Sequence, residues 1–232
     1  MGEKGMPVKN MNLTDRQAVV VTTDDWEGIK ATLQRYERQE TNRPWVAVGR
    51  PVPGVVGRNG LAWGRGLHPG EVHEGPVKKE GDGRAPAGIF HLSAAFGYAP
   101  AQEVPWIRMP YRQATPELLC VDDEGSLHYN RLVDRETSPC NWKSAEDMRR
   151  SDGQYYLGVV VDHNTAPVLP GGGSCIFLHI WLGPDVGTSG CTAMAPEEME
   201  DLLGWLDPQM RPVLIQMPRG VYERYRDRWV LP

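Results

Sequence analysis

The sequence lacks any long uninterrupted apolar run. No stretch of about 18 apolar residues occurs in its 232 residues, so we expect no helix that spans a membrane. The first residues, Met1 to Pro7, also lack the apolar segment of a secretory leader. Two explanations stay open from the sequence: a cytosolic protein, or a mature form whose leader has been removed.

Clusters of basic residues are missing as well, because the lysines and arginines are scattered and the formal net charge is −5. A nucleic-acid-binding surface needs grouped Lys and Arg to neutralise phosphates, so nucleic acid is not an expected partner. Neither an internal repeat nor a domain linker occurs along the chain. We therefore expect one domain over residues 16–232, preceded by a disordered tail or linker over residues 1–15. We also expect the protein to be a monomer.

Cysteine is scarce, and no two of the four cysteines form a CxxC pair. This absence argues against a zinc ribbon or a thioredoxin-type motif. Cys175 and His179 stand four apart on a predicted strand, about 13 Å, which is too far to share one ion. We expect neither a metal nor another cofactor. Cys120 and Cys140 flank a polar stretch and are candidates for a disulfide in an oxidising compartment, with two buried free thiols as the alternative.

Glycine and proline are abundant instead, since 26 Gly and 20 Pro make up about a fifth of the chain. This density predicts many turns between short strands, and hence a mainly β fold of the sandwich or barrel type with a few short helices. β-Branched segments such as Gln17–Thr23 agree with that class. Apolar residues at i, i+3, i+4 and i+7 after Pro196 predict an amphipathic helix that stops at Asp207.

Three further segments carry structural predictions. The capping pattern in Ser144-Ala-Glu-Asp predicts a short helix ending near residue 151. Repeated prolines predict that residues 93–140 are irregular and form the wall of a cleft. Residues 174–181 predict a strand. Alternation on that strand places on one face Cys175, Phe177, His179 and Trp181.

A histidine and a cysteine stand at the two ends of one short loop, His179 in the predicted strand and Cys191 after Thr188-Ser189-Gly190. A thiol nucleophile needs a nearby base, and a neighbouring imidazolium lowers the pKa of a thiol. Gly190 allows close approach of a substrate, and the N–H groups of Gly190 and Cys191 are candidate oxyanion donors. The alternative is a buried cysteine in a turn and a core histidine bonded to a backbone carbonyl.

The segment Thr188-Ser-Gly-Cys-Thr-Ala-Met, preceded by His179, resembles the active-site signature of the L,D-transpeptidase (YkuD-like) family. Upstream, Gly81-Asp-Gly-Arg-Ala-Pro-Ala-Gly-Ile-Phe resembles the family's Gly/Pro turn before a strand. The resemblance implies a β-sandwich or barrel-like catalytic domain with Cys191 as nucleophile and His179 as general acid/base. The motif residues that it implies are Thr188, Ser189 and Gly190.

The resemblance also implies acyl transfer on peptidoglycan stem peptides, and therefore a location in the periplasm or cell envelope after removal of a leader. Stem peptides carry free carboxylates, for which arginines are suitable partners. The candidate substrate-binding residues are Arg84, Arg108, Arg112, Arg131, Trp181 and Asn164. Two positions depart from the common pattern, because many members have His in place of Ser189 and Arg in place of Ala193.

Three functions remain open at this stage. The first is a cysteine acyltransferase with an amine of a second stem peptide as acceptor. The second is a cell-wall L,D-carboxypeptidase or amidase, in which the same Cys-His site uses water, since some relatives with a Gly-Cys-x-Ala-Met motif are hydrolytic. The third is a non-catalytic envelope-binding module in which the eight tryptophans form glycan platforms. Acylation of Cys191 by a carbapenem would exclude the third.

Overall fold

In the computed structural model, described residues 14–68 and 74–232 form thirteen strands and two α-helices. The strands are β1 (Gln17–Thr23), β2 (Lys30–Glu37), β3 (Val46–Val55), β4 (Leu61–Trp63), β5 (Ala85–Gly97), β6 (Tyr111–Gln113), β7 (Leu118–Val121), β8 (Leu132–Asp134), β9 (Ala145–Asp147), β10 (Leu157–Val161), β11 (Phe177–Ile180), β12 (Thr192–Met194) and β13 (Val213–Pro218). The helices are α1 (Pro196–Trp205) and α2 (Arg219–Arg226). Neither helix within these ranges is long and apolar enough to cross a membrane.

Eight of the strands form a barrel-like sheet, which confirms the mainly β prediction. Their order is β10-β11-β12-β3-β2-β1-β13-β5, and β5 also pairs with β10, so that the ring closes. Closure pairs the strand edges that an open sheet would expose. The short strands β4 and β6 add to β5 outside the ring, while β7 lies between β8 and β9 in a separate three-stranded sheet.

The main core lies between the barrel strands and α1. β1 is rich in valine and pairs in parallel with β13, and both strands are almost wholly buried. Helix α1 buries Met199, Leu202 and Leu203 and contacts β10 and β11, which confirms the predicted amphipathic helix. Helix α2 was not predicted from the sequence, and it buries Val221 against this core.

The predicted tail ends inside the fold. Residues 1–13 lie outside the described residues, but Asp15 is 1% exposed. Its carbonyl accepts a hydrogen bond from Arg38 Nε at 2.8 Å, and its carboxylate lies 3.5 Å from Arg211 Nε. Asp15 is therefore part of the packed structure that precedes β1.

Two segments differ from their predictions for the same physical reason. Residues 145–147 form β9 rather than a helix, and residues 93–140 contain β6, β7 and β8 together with the end of β5. β7 supplies a hydrogen-bonded partner for β9, with Leu119 opposite Asp147, and for β8. Pairing with a partner strand outweighs a local capping pattern because most secondary-structure stability comes from tertiary contacts.

A disulfide joins Cys120 to Cys175, so the predicted Cys120–Cys140 pairing is wrong. Cys120 is buried in β7, whereas Cys140 is exposed and free. Sequence spacing alone does not determine which cysteines meet. Cys175 adopts a left-handed φ of 54°, and the strand predicted over residues 174–181 therefore begins only at Phe177. The bond ties the three-stranded sheet to the segment that leads into β11.

We expect loss of the Cys120–Cys175 bond to lower the free energy of unfolding by about 4 kcal/mol, because the bond closes a loop across a sequence separation of 55 residues. Urea unfolding of Cys120→Ala/Cys175→Ala against wild type measures the effect. Cys140→Ala is the control and should leave the midpoint unchanged. A double variant as stable as wild type would contradict the expectation.

Candidate active site

The parallel neighbours β11 and β12 bring the predicted histidine and cysteine together. In their register His179 lies opposite Ala193, so Cys191, one residue before β12, lies level with Phe177. Side chains two apart on a strand share a face, and both Phe177 and His179 contact the Tyr155 ring. Cys191 and His179 line one cavity of about 320 Å³.

Thr188 holds the backbone that leads into Cys191. Its hydroxyl donates to the Cys191 carbonyl at 2.6 Å and accepts from the Gly190 N–H at 3.1 Å. Its own N–H donates to the Val56 carbonyl at 2.9 Å, which attaches this loop to the end of β3. Space at Gly190 is limited, since an added Cβ would lie 3.2 Å from the Arg84 carbonyl oxygen. Thr188 and Gly190 therefore determine how the thiol is presented.

Cys191 is 7% exposed, and its sulfur has two backbone partners. The Phe177 N–H donates to Sγ at 3.3 Å, and the thiol donates to the Cys175 carbonyl at 3.5 Å. Burial raises the pKa of Cys191 to about 12, the charge of Glu146 adds to the rise, and the Phe177 N–H opposes it. Cys191 is thus a neutral thiol near pH 7, not the thiolate that an adjacent imidazolium would favour.

His179 is also neutral near pH 7. Its Nδ1 lies 2.8 Å from the Ile180 carbonyl. Because a carbonyl oxygen only accepts, Nδ1 carries the hydrogen and Nε2 keeps a lone pair. Burial lowers the pKa of His179 to about 4, although the Ile180 carbonyl opposes this shift. Within the described residues no hydrogen bond joins the imidazole to Cys191 Sγ, so the two groups are cavity neighbours and not an ion pair.

Charged side chains of both signs line the same cavity. The cationic residues are Arg58, Lys78 and Arg150, and the acidic residues are Glu80, Asp122 and Glu146. Two of the cations have carboxylate partners: Lys78 Nζ lies 2.5 Å from Asp82, and Arg150 Nη2 lies 2.5 Å from Asp152. The cavity thus offers a polar, partly neutralised surface around a desolvated thiol and imidazole.

Three of the four predicted arginine clamps, Arg84, Arg108 and Arg112, donate hydrogen bonds to the protein's own backbone. Arg84 donates to carbonyls in the β1–β2 connection and in β4. Arg108 donates to carbonyls at the C-terminal end of α1, where a cation is favourable. Arg112 donates to a carbonyl in β8, and Arg131 is exposed. None of these four lines the cavity that contains Cys191.

The other two predicted substrate-binding residues also lie outside that cavity. Trp181 follows β11, and its N–H donates to the Met194 carbonyl in β12. Asn164 donates from its side-chain amide to the carbonyls of Leu169 and Gly173. It lines a separate cavity of about 670 Å³. Substrate binding by these residues and by the four arginines stays a prediction.

Several side chains that line the cavity were not predicted from the sequence. Tyr155 was placed only in a buried strand, and Glu146 only in a short helix. Arg58 was not singled out, yet its Nη1 donates to Ser189 Oγ at 3.3 Å. Of these lining residues, only Lys78 and Glu80 had a signal in the sequence, because they stand just before the Gly81 to Phe90 segment that resembles the family's Gly/Pro turn. The remaining residues come from distant parts of the chain and share no motif spacing.

Comparison with known families agrees with the fold and the motif order. Residues 17–215, which cover most of the chain, match the family model of the L,D-transpeptidase catalytic domain (YkuD). No curated protein matches the chain. Enzymes of the matched family act on cell-wall peptidoglycan. On the length of this match, the chain belongs to the L,D-transpeptidase catalytic-domain family.

Proposed function

We propose that the protein is a cysteine acyltransferase of the periplasm or cell envelope that acts on peptidoglycan stem peptides. Cys191 is the nucleophile and His179 the general acid/base. One observation carries the proposal: the parallel pairing of β11 and β12 places a buried thiol and an imidazole with a free Nε2 lone pair on one cavity. Membership of the L,D-transpeptidase family supplies the substrate class.

The neutral state of both groups determines the order of proton transfers. The Cys191 thiol gives its proton to His179 Nε2 as sulfur attacks the carbonyl between an L-centre and a terminal D-residue. The imidazolium then protonates the departing amine as the C–N bond breaks, and a thioester remains on Cys191. An acceptor amine attacks that thioester, loses its proton to His179, and the C–S bond breaks with return of the proton to sulfur.

Positive charge near the backbone of Gly190 supports stabilisation of the tetrahedral oxyanion. The Gly190 N–H is already bonded to Thr188, so we assign the donor role to the Cys191 N–H. Lys78 adds charge on this side, because its Nζ lies 3.9 Å from the position that a Cβ on Gly190 would take. Lys78 also acts to lower the pKa of Cys191, in opposition to burial.

Cationic side chains that line the cavity bind the carboxylates of the stem peptide in this proposal. Arg58 and Arg150 meet this condition, and Arg58 reaches the motif through Ser189. Arg84 and Arg131, together with Trp181 and Asn164, would act only on parts of a longer substrate outside the cavity of Cys191.

The acceptor distinguishes the two enzymatic alternatives. An amine gives a cross-link, and water gives the L,D-carboxypeptidase or amidase reaction on the same Cys-His site. Cys191 and His179 are 7% and 3% exposed. A thioester formed on such a desolvated sulfur is protected from bulk water, which favours transfer to an amine brought in by a bound peptide.

Replacement of the thiol tests the reaction. We expect wild type incubated with muropeptide tetrapeptides to form cross-linked dimers, and Cys191→Ala to form none, since no other cysteine lines the cavity except the disulfide-bonded Cys175. Mass spectrometry of the products gives the answer. Cys140→Ala is the matched control and should retain wild-type yields. Shortened monomers without dimers would instead assign hydrolysis, and full activity of Cys191→Ala would refute the mechanism.

Reactivity with iodoacetamide tests the neutral state of the pair. With its pKa raised to about 12 and only 7% exposure, Cys191 should react at pH 7 at least about tenfold more slowly than the exposed Cys140. Peptide mass spectrometry over time measures both rates in one sample. Equal rates would mean that Cys191 is a preformed thiolate.

The pH dependence of turnover follows from the His179 pKa. A base must be unprotonated, so kcat/KM should fall as the pH drops through about 4, the pKa to which burial lowers His179, and should stay level near pH 7. Initial rates between pH 3.5 and 8 give the profile. An acid limb centred near the ordinary histidine value of about 6.5 would contradict the burial of this imidazole in the working enzyme.

A further inference from the structure

The Tyr155 side chain contacts the imidazole of His179 on the cavity face. It is 4% exposed, and its ring meets the His179 ring edge-on with centroids 5.2 Å apart. It also packs edge-on against Phe177 and Phe96, at 5.5 and 5.6 Å. Edge-to-face contacts have a preferred orientation, so the Tyr155 ring restricts the plane of the imidazole. The Ile180 carbonyl then holds Nδ1 within that plane.

Glu146 in turn holds Tyr155. The phenol O–H donates to Glu146 Oε2 at 2.8 Å, which gives this buried hydroxyl a carboxylate acceptor. Glu146 lies in β9, opposite Cys120 of β7. Because Cys120 is bonded to Cys175, the carboxylate is tied to the segment whose carbonyl accepts from the Cys191 thiol.

We propose that Glu146 and Tyr155 are positioning residues for the Cys191–His179 pair. Glu146 anchors the hydroxyl of Tyr155, and the ring of Tyr155 holds the imidazole so that Nε2 stays available to the thiol. The proposal rests on the proposed function for its effect on turnover. Glu146 acts through Tyr155. The ring of Tyr155 acts on His179, and its hydroxyl in addition lowers the pKa of the Cys191 thiol.

A second consequence concerns the protonation of the thiol. The charge of Glu146 disfavours the Cys191 thiolate, while the Tyr155 hydroxyl and Lys78 favour it. The other ionisable groups that line the cavity are His179, Arg58, Arg150, Glu80 and Asp122. Removal of the Glu146 charge alone should therefore make Cys191 more reactive towards alkylating agents, an effect that a purely structural side chain would not produce.

Substitution of Tyr155 tests the positioning of His179. We expect Tyr155→Leu to lower kcat by about tenfold to hundredfold with KM within about threefold of wild type, because a displaced base affects the chemical step more than binding. Tyr155→Phe keeps the ring and should fall between Tyr155→Leu and wild type. Tyr156→Leu is the matched control, since Tyr156 is 54% exposed and packs on Tyr98 outside the cavity. A kcat for Tyr155→Leu equal to that of Tyr156→Leu, in folded protein, would overturn the proposal.

Two substitutions of Glu146 separate its anchor from its charge. Glu146→Gln keeps an acceptor for the Tyr155 hydroxyl, so we expect its kcat to exceed that of Glu146→Ala by about fivefold or more. Both variants lose the charge, and both should be alkylated at Cys191 about three- to tenfold faster than wild type at pH 8. Equal kcat values for the two variants, or an unchanged alkylation rate in both, would overturn the assignment of Glu146.

The alkylation measurement requires no muropeptide. If wild type failed to act on muropeptides, the proposed function would be refuted, while the alkylation rates of the Glu146 variants would still decide whether this carboxylate acts on Cys191. Circular dichroism and the urea midpoint of each variant distinguish a positioning effect from loss of fold.

Discussion

Parallel pairing of β11 with β12 is the contact on which the site depends. Parallel strands cannot be joined by a tight hairpin, so the chain has to leave the sheet after Ile180 and return before Thr192. Residues 181–191 make this return without a helix. The two ends of that connection are the places where His179 and Cys191 stand, one on the outgoing strand and one at the point of return.

The position of β12 is secured from two further directions. On its other edge it pairs with β3, where Ala193 lies opposite Val55. Towards the interior, Thr192 Oγ1 donates to Gln216 Oε1 at 2.6 Å, and Gln216 Nε2 donates to the Pro86 carbonyl at 2.8 Å. All of these groups are buried, and an unmade bond among them would cost about 1–3 kcal/mol. This network ties β12 to β13 and β5, so the residue after Cys191 is anchored to distant parts of the barrel.

Burial shifts the pKa values of Cys191 and His179 in opposite directions, but in both groups it favours the neutral form. It raises the pKa of the thiol and lowers that of the imidazole, since each charged form loses hydration. Charge separation between Cys191 and His179 is therefore unfavourable, and in the proposed reaction it would wait until a substrate supplies a carbonyl that can accept the electrons of sulfur. In the proposed reaction the same desolvation would keep water from a thioester on Cys191, so one property of the cavity would both delay ionisation and protect the intermediate.

The sequence was sufficient for features that depend on local spacing. The density of glycine and proline predicted the mainly β class. The helical spacing of apolar residues after Pro196 predicted α1, and the short loop between His179 and Cys191 predicted that the two residues lie close together. Features that depend on contacts across the chain were not predictable in this way. Cys120 meets Cys175 because β7 packs beside the entry to β11, and residues 145–147 become a strand because β7 offers a partner. Neither outcome is encoded in the local residues.

The structure gives a physical setting for each of the two departures from the common motif, Ala193 and Ser189. Ala193 is fully buried between β11 and β3, so an arginine at this position would bring its charge into the sheet of the barrel. The chain instead places a guanidinium at Arg58, in the turn after β3, whose backbone N–H donates to the Thr188 carbonyl. Arg58 Nη1 donates to Ser189 Oγ at 3.3 Å, and both residues line the cavity of Cys191. A cation thus remains beside the cysteine motif although neither motif position supplies one.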